Sequence, residues 1–409
     1  MKQLTVPYFR PQLGEEEIAE VSAALRSGWL TSGPRSHRFE EEFAAAVGAA
    51  HAVAVNSCTA ALHLAVEALG LKAGQAVLVP TMTFAATAEI VRYLGAIPIL
   101  VDCDPLTANL DLRDAARKIE QPRSGELPGT ISRDTRIVGI IPVHVGGSMM
   151  NIAELQHFAG QHGLWMVEDA AHAFPAAWRP GPGSPWQRCG EATAAVSCFS
   201  FYANKTITTG EGGMAVTSDT RLAERMRSMS LHGLSHDAWG RYSGNGSWDY
   251  RIIAPGYKYN LTDIAAAIGI HQLARAAHMR HLREVIALTY QEGLANVQEL
   301  ERPVVAKDRI LAWHLYAIRL RPECLSIDRN AFMGELKQAG VGCSVHWRPL
   351  HLHPYYQETY GWRPEDFPVA TALWQRLISL PLFPTMTPDE VQYVMHTIKG
   401  ICARYMRPI

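Results

Sequence analysis

Runs of apolar residues of strand length recur along the first two-thirds of the chain, separated by amphipathic stretches. Residues 51–55, 76–79, 97–101, 136–141, 164–167 and 195–199 are dominated by apolar side chains. Residues 59–69 and 84–94 instead place their apolar positions at helical spacing. A strand exposed on one face alternates apolar and polar residues, whereas continuous apolarity requires cover on both faces. The pattern predicts βαβ units, in an α/β fold whose mostly parallel central sheet is flanked by helices.

The pattern changes beyond Leu261. A long helical stretch over residues 263–297 leads away from the first sheet, and a strand at 313–320 and helices at 329–340 and 388–405 follow. This predicts a large domain over residues 1–265, including an N-terminal segment. Residues 266–409 would hold the long connecting helix and a smaller C-terminal α/β domain. Loops are expected where Pro and Gly accumulate: an insertion over residues 121–129, a second loop at 179–190 and an exposed flap at 238–247.

Composition narrows the class. With 48% hydrophobic and 19% charged residues, the 409-residue chain has the make-up of a globular protein with ample core. Its 38 basic and 39 acidic residues give a net charge of -1, which offers no basic excess for nucleic acid or an anionic membrane. Seven scattered cysteines without a Cys-x-x-Cys pair argue against a disulfide framework or zinc ribbon, and fit a reducing compartment. The first residues lack a signal-peptide pattern, and no run of about twenty apolar residues offers a membrane span. The expectation is a cytoplasmic enzyme acting on small molecules.

Candidate chemistry lies in three local motifs. Asn56-Ser57-Cys58-Thr59-Ala60 joins a predicted strand to a predicted helix, so Ser57 and Thr59 suit either simple capping or a phosphate site at the helix start. Asp169 follows Leu164-Trp165-Met166-Val167-Glu168 at the carboxyl end of a strand, where open α/β sheets bind ligands. Taken alone, it equally suits a helix cap. His172 lies three residues on, one turn away if the chain is helical there. Lys205 follows Phe199-Ser200-Phe201-Tyr202-Ala203-Asn204, too apolar for a solvated face, and precedes Gly210-Glu211-Gly212-Gly213.

A strand-end acid paired with a lone lysine beside a serine meets the needs of pyridoxal phosphate chemistry. The lysine holds the aldehyde as a Schiff base, and the acid keeps the pyridine nitrogen protonated. Histidines 346, 351 and 353 cluster in a Pro-rich loop, and His278 and His281 share a helix face. Neither group comes with a carboxylate- or cysteine-rich set, so no metal site is expected.

These motifs, with Pro80-Thr81-Met82-Thr83-Phe84-Ala85-Ala86-Thr87, Pro142-Val143-His144-Val145-Gly146-Gly147 and Pro255-Gly256-Tyr257-Lys258-Tyr259-Asn260, run in order along nearly the whole chain. In this the chain resembles the DegT-type sugar aminotransferases, a fold-type I pyridoxal phosphate family. The resemblance implies that Lys205 binds the cofactor aldehyde, Asp169 pairs with the pyridine nitrogen and Phe84 stacks on the ring. Ser57, Cys58, Thr59 and Ser200 would hold the phosphate, and His172 would face the ring oxygen where many relatives carry glutamine. Asn260 would reach the phosphate from a partner subunit, which implies a homodimer with shared active sites. Cys58 stands where the family usually has glycine, a departure expected to shift the turn slightly or leave a thiol near the cofactor.

The reaction so implied moves an amino group from an amino acid, expected to be L-glutamate, to a keto group on a nucleotide-linked sugar, in a ping-pong cycle. Trp29, Tyr202, Trp248, His346 and Trp347 are the residues expected along the sugar cleft, some of them from the second subunit; each equally suits a core position. Two other readings are a keto-cyclitol as acceptor, and a non-catalytic cofactor-binding regulator with the same fold.

Overall fold

A computed structural model describes residues 4–124, 131–132, 134–235 and 250–407 of the chain. Its centre is a sheet built from β1 (His51–Val55), β2 (Ala76–Pro80), β3 (Ile97–Val101), β4 (Ile137–Ile140) and β5 (Trp165–Asp169). The short β6 (Ala177–Trp178) and β7 (Gln187–Arg188) lie outside that sheet, which β8 (Val196–Ser200) and β9 (Gly213–Thr217) complete. The order across it is β1-β9-β8-β5-β4-β2-β3. The pairs β2–β3, β2–β4, β4–β5 and β5–β8 are parallel, and β9 runs antiparallel to both neighbours.

Continuous apolarity has the predicted consequence. Ala52, Ala54, Ala76 and Leu78 enter one core, while Val53, Val55, Val77 and Val79 enter another on the opposite face. The alternate side chains of each strand are thus buried on both sides. Helices α1 (Glu15–Ser27), α2 (Pro34–Val47), α3 (Cys58–Ala68) and α4 (Ala86–Tyr93) belong to this part of the molecule. Ser57 opens α3 by accepting from the Ala60 N–H at 3.1 Å, a cap whose removal typically costs about 1 kcal/mol.

A third core draws on residues 286–402, with Val6 joining from the N-terminal segment. It packs on a second sheet of β10 (Leu300–Glu301), β12 (Tyr316–Leu320) and β13 (Leu377–Leu380). The strand β11 (Arg309–Ile310) pairs instead with β6.

Three sequence expectations need adjustment. The stretch over residues 263–297 is two helices, Asp263–Ala274 and Ala276–Gly293, because Arg275 leaves helical geometry (φ -102, ψ 2) while its guanidinium pairs with Glu17. The helix Leu112–Ser124 runs into the expected insertion, since propagation past the last buried turn costs little. Within 179–190, Gln187–Arg188 forms a strand against Ala177–Trp178 rather than irregular loop. The flap expected at 238–247, and Trp248 with it, lies outside the described residues.

Candidate active site

The carboxyl ends of parallel strands bring distant residues to one edge of a sheet. Here β5 ends at Asp169, β8 at Ser200, and β1 leads through Asn56 into α3. Ser57, Cys58, Thr59, Phe84, Asp169, His172, Ser200, Tyr202, Lys205, His346 and Trp347 all line one cleft of about 500 Å³. A larger depression near Leu69 and Thr217 is open, and its charged residues Asp219 and Arg221 pair with each other at 3.2 Å. The enclosed cleft is where the chemistry gathers.

Lys205 is held in the cleft by a turn in which its N–H donates to the Tyr202 carbonyl at 3.0 Å. Burial pushes its ammonium down to about 8, and the fields of Cys58 and Asp169 pull the other way. A lysine so displaced has a sizeable neutral fraction near neutral pH, which a nucleophile needs. Asp169 is buried, and burial raises its carboxyl above the usual range. Two donors oppose that rise: the Thr87 hydroxyl at 2.7 Å from Oδ2 and the Ala171 N–H at 3.2 Å from Oδ1.

His172 enters the cleft on a turn, not a helix, so the expected helical offset from Asp169 does not hold. Pro175 supplies the reason: it disfavours helix in the residue before it and removes a backbone donor. The Gly146 N–H points at His172 Nδ1 from 3.3 Å, which assigns the ring proton to Nε2. The ring stacks on Trp347 (5.0 Å, 20°), and burial keeps it well below the ordinary imidazole range. His346 is pushed down to about 4, chiefly by burial, and its Nδ1 sits 2.9 Å from Ser379 Oγ.

The start of α3 is shaped as a cradle. In the first turn of a helix the N–H groups have no acceptor within the helix, so those of Cys58 and Thr59 are available to an anion. Gly213 presses against the same turn: a Cβ there would lie 2.4 Å from the Ser57 carbonyl carbon and 2.5 Å from Cys58 N. Cys58 leaves the helix start regular rather than shifted. Its thiol points to the Cys198 carbonyl at 3.6 Å, and burial keeps it protonated.

Two expected residues lie elsewhere. The Trp29 indole N–H donates to the Ser32 carbonyl at 3.0 Å, and Asn260 Nδ2 donates to Ser32 Oγ at 2.8 Å. Neither lines this chain's cleft, so any part they play requires a second subunit. The histidine clusters gather no metal set: His351 spends both ring nitrogens on Thr81 and Thr371. Among the described residues the group within ligand reach is instead His144, Glu168 and Cys189. There the Met150 N–H faces His144 Nδ1 at 3.3 Å, leaving Nε2 to carry the proton towards Glu168 Oε1 at 3.3 Å. Both groups are fully buried. Burial opposes ionisation of Glu168, but His144, Ser197 and Thr193 outweigh it.

Sequence reading missed Thr87 and His314. Thr83 and Thr87 share a helical i, i+4 spacing that could have signalled a common role. His314 left no local signal. Its ring reaches His172 (4.1 Å between centroids) from a distant segment whose His314 N–H donates to the Gly146 carbonyl at 3.1 Å.

The described residues suit pyridoxal phosphate. A helix start that Gly213 approaches closely could take an anion, a buried acid could meet a cation, and a lysine of depressed basicity shares the same cleft. The model of the DegT/DnrJ/EryC1/StrS aminotransferase family matches residues 11–399. The spore coat polysaccharide biosynthesis protein SpsC of Bacillus subtilis is 43% identical over 398 residues, 97% of each chain. The uncharacterized protein MJ1066 of Methanocaldococcus jannaschii is 43% identical over 401 residues, 98% of each. Among solved structures, the PLP form of Spr1654 from Streptococcus pneumoniae has a TM-score of 0.86 at 29% identity, covering 98% of this chain and 99% of that one. The sugar aminotransferase CalS13 from Micromonospora echinospora has a TM-score of 0.81 at 30% identity, covering 97% and 99%.

Proposed function

Because the chain belongs to the DegT/DnrJ/EryC1/StrS aminotransferase family and is a pyridoxal phosphate-dependent sugar aminotransferase, we propose that its acceptor is a keto group on a nucleotide-linked sugar. The donor in this reading is L-glutamate, and the two substrates take turns in one cleft. One observation carries it: Lys205, Asp169 and the start of α3 share one cleft with His346 and Trp347. Aromatic and neutral imidazole groups suit a sugar and a nucleobase. The similarity to SpsC, a spore coat polysaccharide biosynthesis protein, supports an activated sugar.

When bound, the cofactor supplies an aldehyde that exchanges amines and a ring that accepts the electron pair of a broken carbon–hydrogen bond. The roles of the protein follow from placement. Once the donor amine has displaced it, Lys205 Nζ would take the proton from the donor's α-carbon and deliver it to the former aldehyde carbon, and would run the same transfer in reverse with the acceptor. Asp169 keeps a carboxylate against the ring nitrogen, and Phe84, 63% exposed at the rim, covers the ring. His172 offers Nε2–H to the ring oxygen, while the N–H groups of Cys58 and Thr59, with the Ser57, Thr59 and Ser200 hydroxyls, hold the phosphate. Tyr202, His346 and Trp347 face the sugar.

A homodimer belongs to the same proposal. Asn260 and Trp29 would then serve the neighbouring subunit's cleft, and Phe84 would be covered by the partner. The large and small domains would meet near residue 265. Among the described residues no helix is long and apolar enough to cross a membrane, and the cytoplasm is the proposed location.

The test is the visible absorption of the purified protein before and after L-glutamate, with Lys205→Ala alongside. Bleaching of a yellow band in the parent alone supports the donor and the lysine. Assays of the aminated enzyme with nucleotide-linked keto sugars and with keto-cyclitols then choose the acceptor. Turnover only with the cyclitols would overturn the sugar reading, and a bound cofactor without any turnover would favour a regulator.

A further inference from the structure

The proposed counter-ion for the cofactor ring poses a physical problem. Asp169 is 5% exposed, and a carboxylate taken out of water prefers to hold its proton. A protonated Asp169 could not balance a pyridinium. Groups in the fold that favour the ionised form would therefore help Asp169 to receive the ring.

The answer lies in the turn between β2 and α4. Thr83 and Thr87 are buried, at 1% and 0% exposure, and their hydroxyl oxygens are 2.7 Å apart. Thr87 Oγ1 is also 2.7 Å from Asp169 Oδ2. An ionised carboxylate only accepts, and each hydroxyl has a single proton to give. Both short contacts are made at once only if Thr83 donates to Thr87 and Thr87 donates to Asp169. The Phe84 carbonyl, at 3.2 Å from Thr87 Oγ1, is the weaker competitor for that proton.

We propose that Thr83 and Thr87 are positioning residues that hold Asp169 ionised and aimed at the ring nitrogen through a directed pair of hydroxyl donors. The inference rests on the reading of Asp169 given above. Hydrogen bonds in such a file polarise one another, so Thr83 strengthens the donor that touches the acid without touching it itself. Phe84 lies between the two threonines in sequence. One turn thus brings Phe84 and Thr83 to the lining of the cleft and leaves Thr87 fully buried. The other groups facing Asp169 are the Ala171 N–H, Lys205, His144 and the thiols of Cys58 and Cys198. The field of Lys205 favours the carboxylate, His144 adds to it, and the thiols, which burial keeps protonated, bring no charge of their own. Thr87 gives the carboxylate the shorter of its two side-chain-directed bonds.

The experiment uses the full-length protein stripped of cofactor and reloaded with pyridoxal phosphate, with binding and the pH midpoint of the visible band as readouts. Thr87→Val keeps the branched shape and removes the donor. It should weaken cofactor binding by roughly tenfold to a hundredfold, the range for losing a hydrogen bond to a charged group. It should also shift the pH midpoint of the visible band. Thr87→Ser restores a donor at the same place and should return both readouts to within about threefold of the parent. Thr83→Val should weaken binding by a smaller factor, about threefold.

A merely structural role would lower the melting temperature of Thr87→Val and leave the midpoint where it was; that result overturns the proposal. Parental affinity and midpoint in Thr87→Val would do the same. If Thr87→Val does not fold, Thr87→Ser and Thr83→Val still decide: a midpoint unmoved in Thr83→Val and lost in Thr87→Ser contradicts a donor file. Failure of the parent itself to bind pyridoxal phosphate would instead sink the reading of Asp169.

Discussion

The two walls of the cleft are built on opposite electrostatic principles. On the sheet side stand a lysine, an aspartate and a helix start, each polar and each held by short contacts to the core: Thr87 to Asp169, Ser57 to Ala60, Lys205 N–H to Tyr202. Elsewhere in the lining stand His346, which burial keeps neutral, and Trp347, which stacks on the His172 ring; His314, also kept neutral by burial, meets His172 with 4.1 Å between ring centroids. A charged wall suits a cofactor that stays through every turnover. A neutral, stacking wall suits partners that must leave, because release of a ligand from a buried ion pair would be slow. The difference teaches that cofactor chemistry and acceptor choice should separate under mutation.

The sharpest way to break that separation is at the charged wall. Lys205→Ala should lower the glutamate half-reaction on the order of 10⁴-fold, the upper range for losing a positioned acid–base group, as followed by bleaching of the visible band. Asp169→Asn keeps the shape and removes the charge. Its expected loss is about 10²- to 10³-fold in both half-reactions, since each needs the ring as an electron sink. Equal loss in both is the signature. A loss confined to the acceptor half would mean that the two walls are not distinct.

The neutral wall should respond differently. His346→Phe preserves a flat ring but removes the imidazole that meets Ser379 at 2.9 Å. It should raise KM for the keto sugar by roughly tenfold while the glutamate half-reaction stays within about twofold. A proportional loss in the glutamate half would assign His346 to donor recognition and redraw the boundary between the walls.

The contrast between walls also decides what could be read from the chain alone. The charged wall was legible because its parts lie at strand ends within local motifs: β5 into Asp169, β8 into Ser200 and Lys205, β1 into Ser57. Continuous apolar runs announced those strands, and two buried faces explain them. The neutral wall was only half legible. His346 and Trp347 stood out as an aromatic pair, but nothing near His314 announced that it would meet His172. That contact depends on the Gly146–Gly147 turn, where a Cβ on Gly147 would come 2.7 Å from the His172 carbonyl and 2.8 Å from Ala312 Cβ. Close backbone approach of this kind has no sequence periodicity. His172 lies on a turn rather than one helical turn from Asp169, because Pro175 disfavours helix just beyond it. Trp29 and Asn260 stand apart from this cleft and meet Ser32 instead.

The smallest effect tests a residue that belongs to the charged wall by position and to the neutral one by state. Cys58 stands at the first position of α3, beside Lys205 and Asp169, yet burial keeps its thiol protonated and its Sγ turns to the Cys198 carbonyl at 3.6 Å. The N–H groups that an anion would use belong to the backbone, and Ser57 rather than Cys58 supplies the cap. Cys58→Gly therefore removes nothing the phosphate touches. A glycine at a helix start costs little beyond its backbone entropy, and the cradle keeps both N–H donors. Cofactor affinity and turnover should stay within about threefold of the parent, with a drop in melting temperature set by a loss of up to about 1 kcal/mol. Loss of cofactor binding in that variant would show that the thiol, and not the backbone alone, shapes the charged wall.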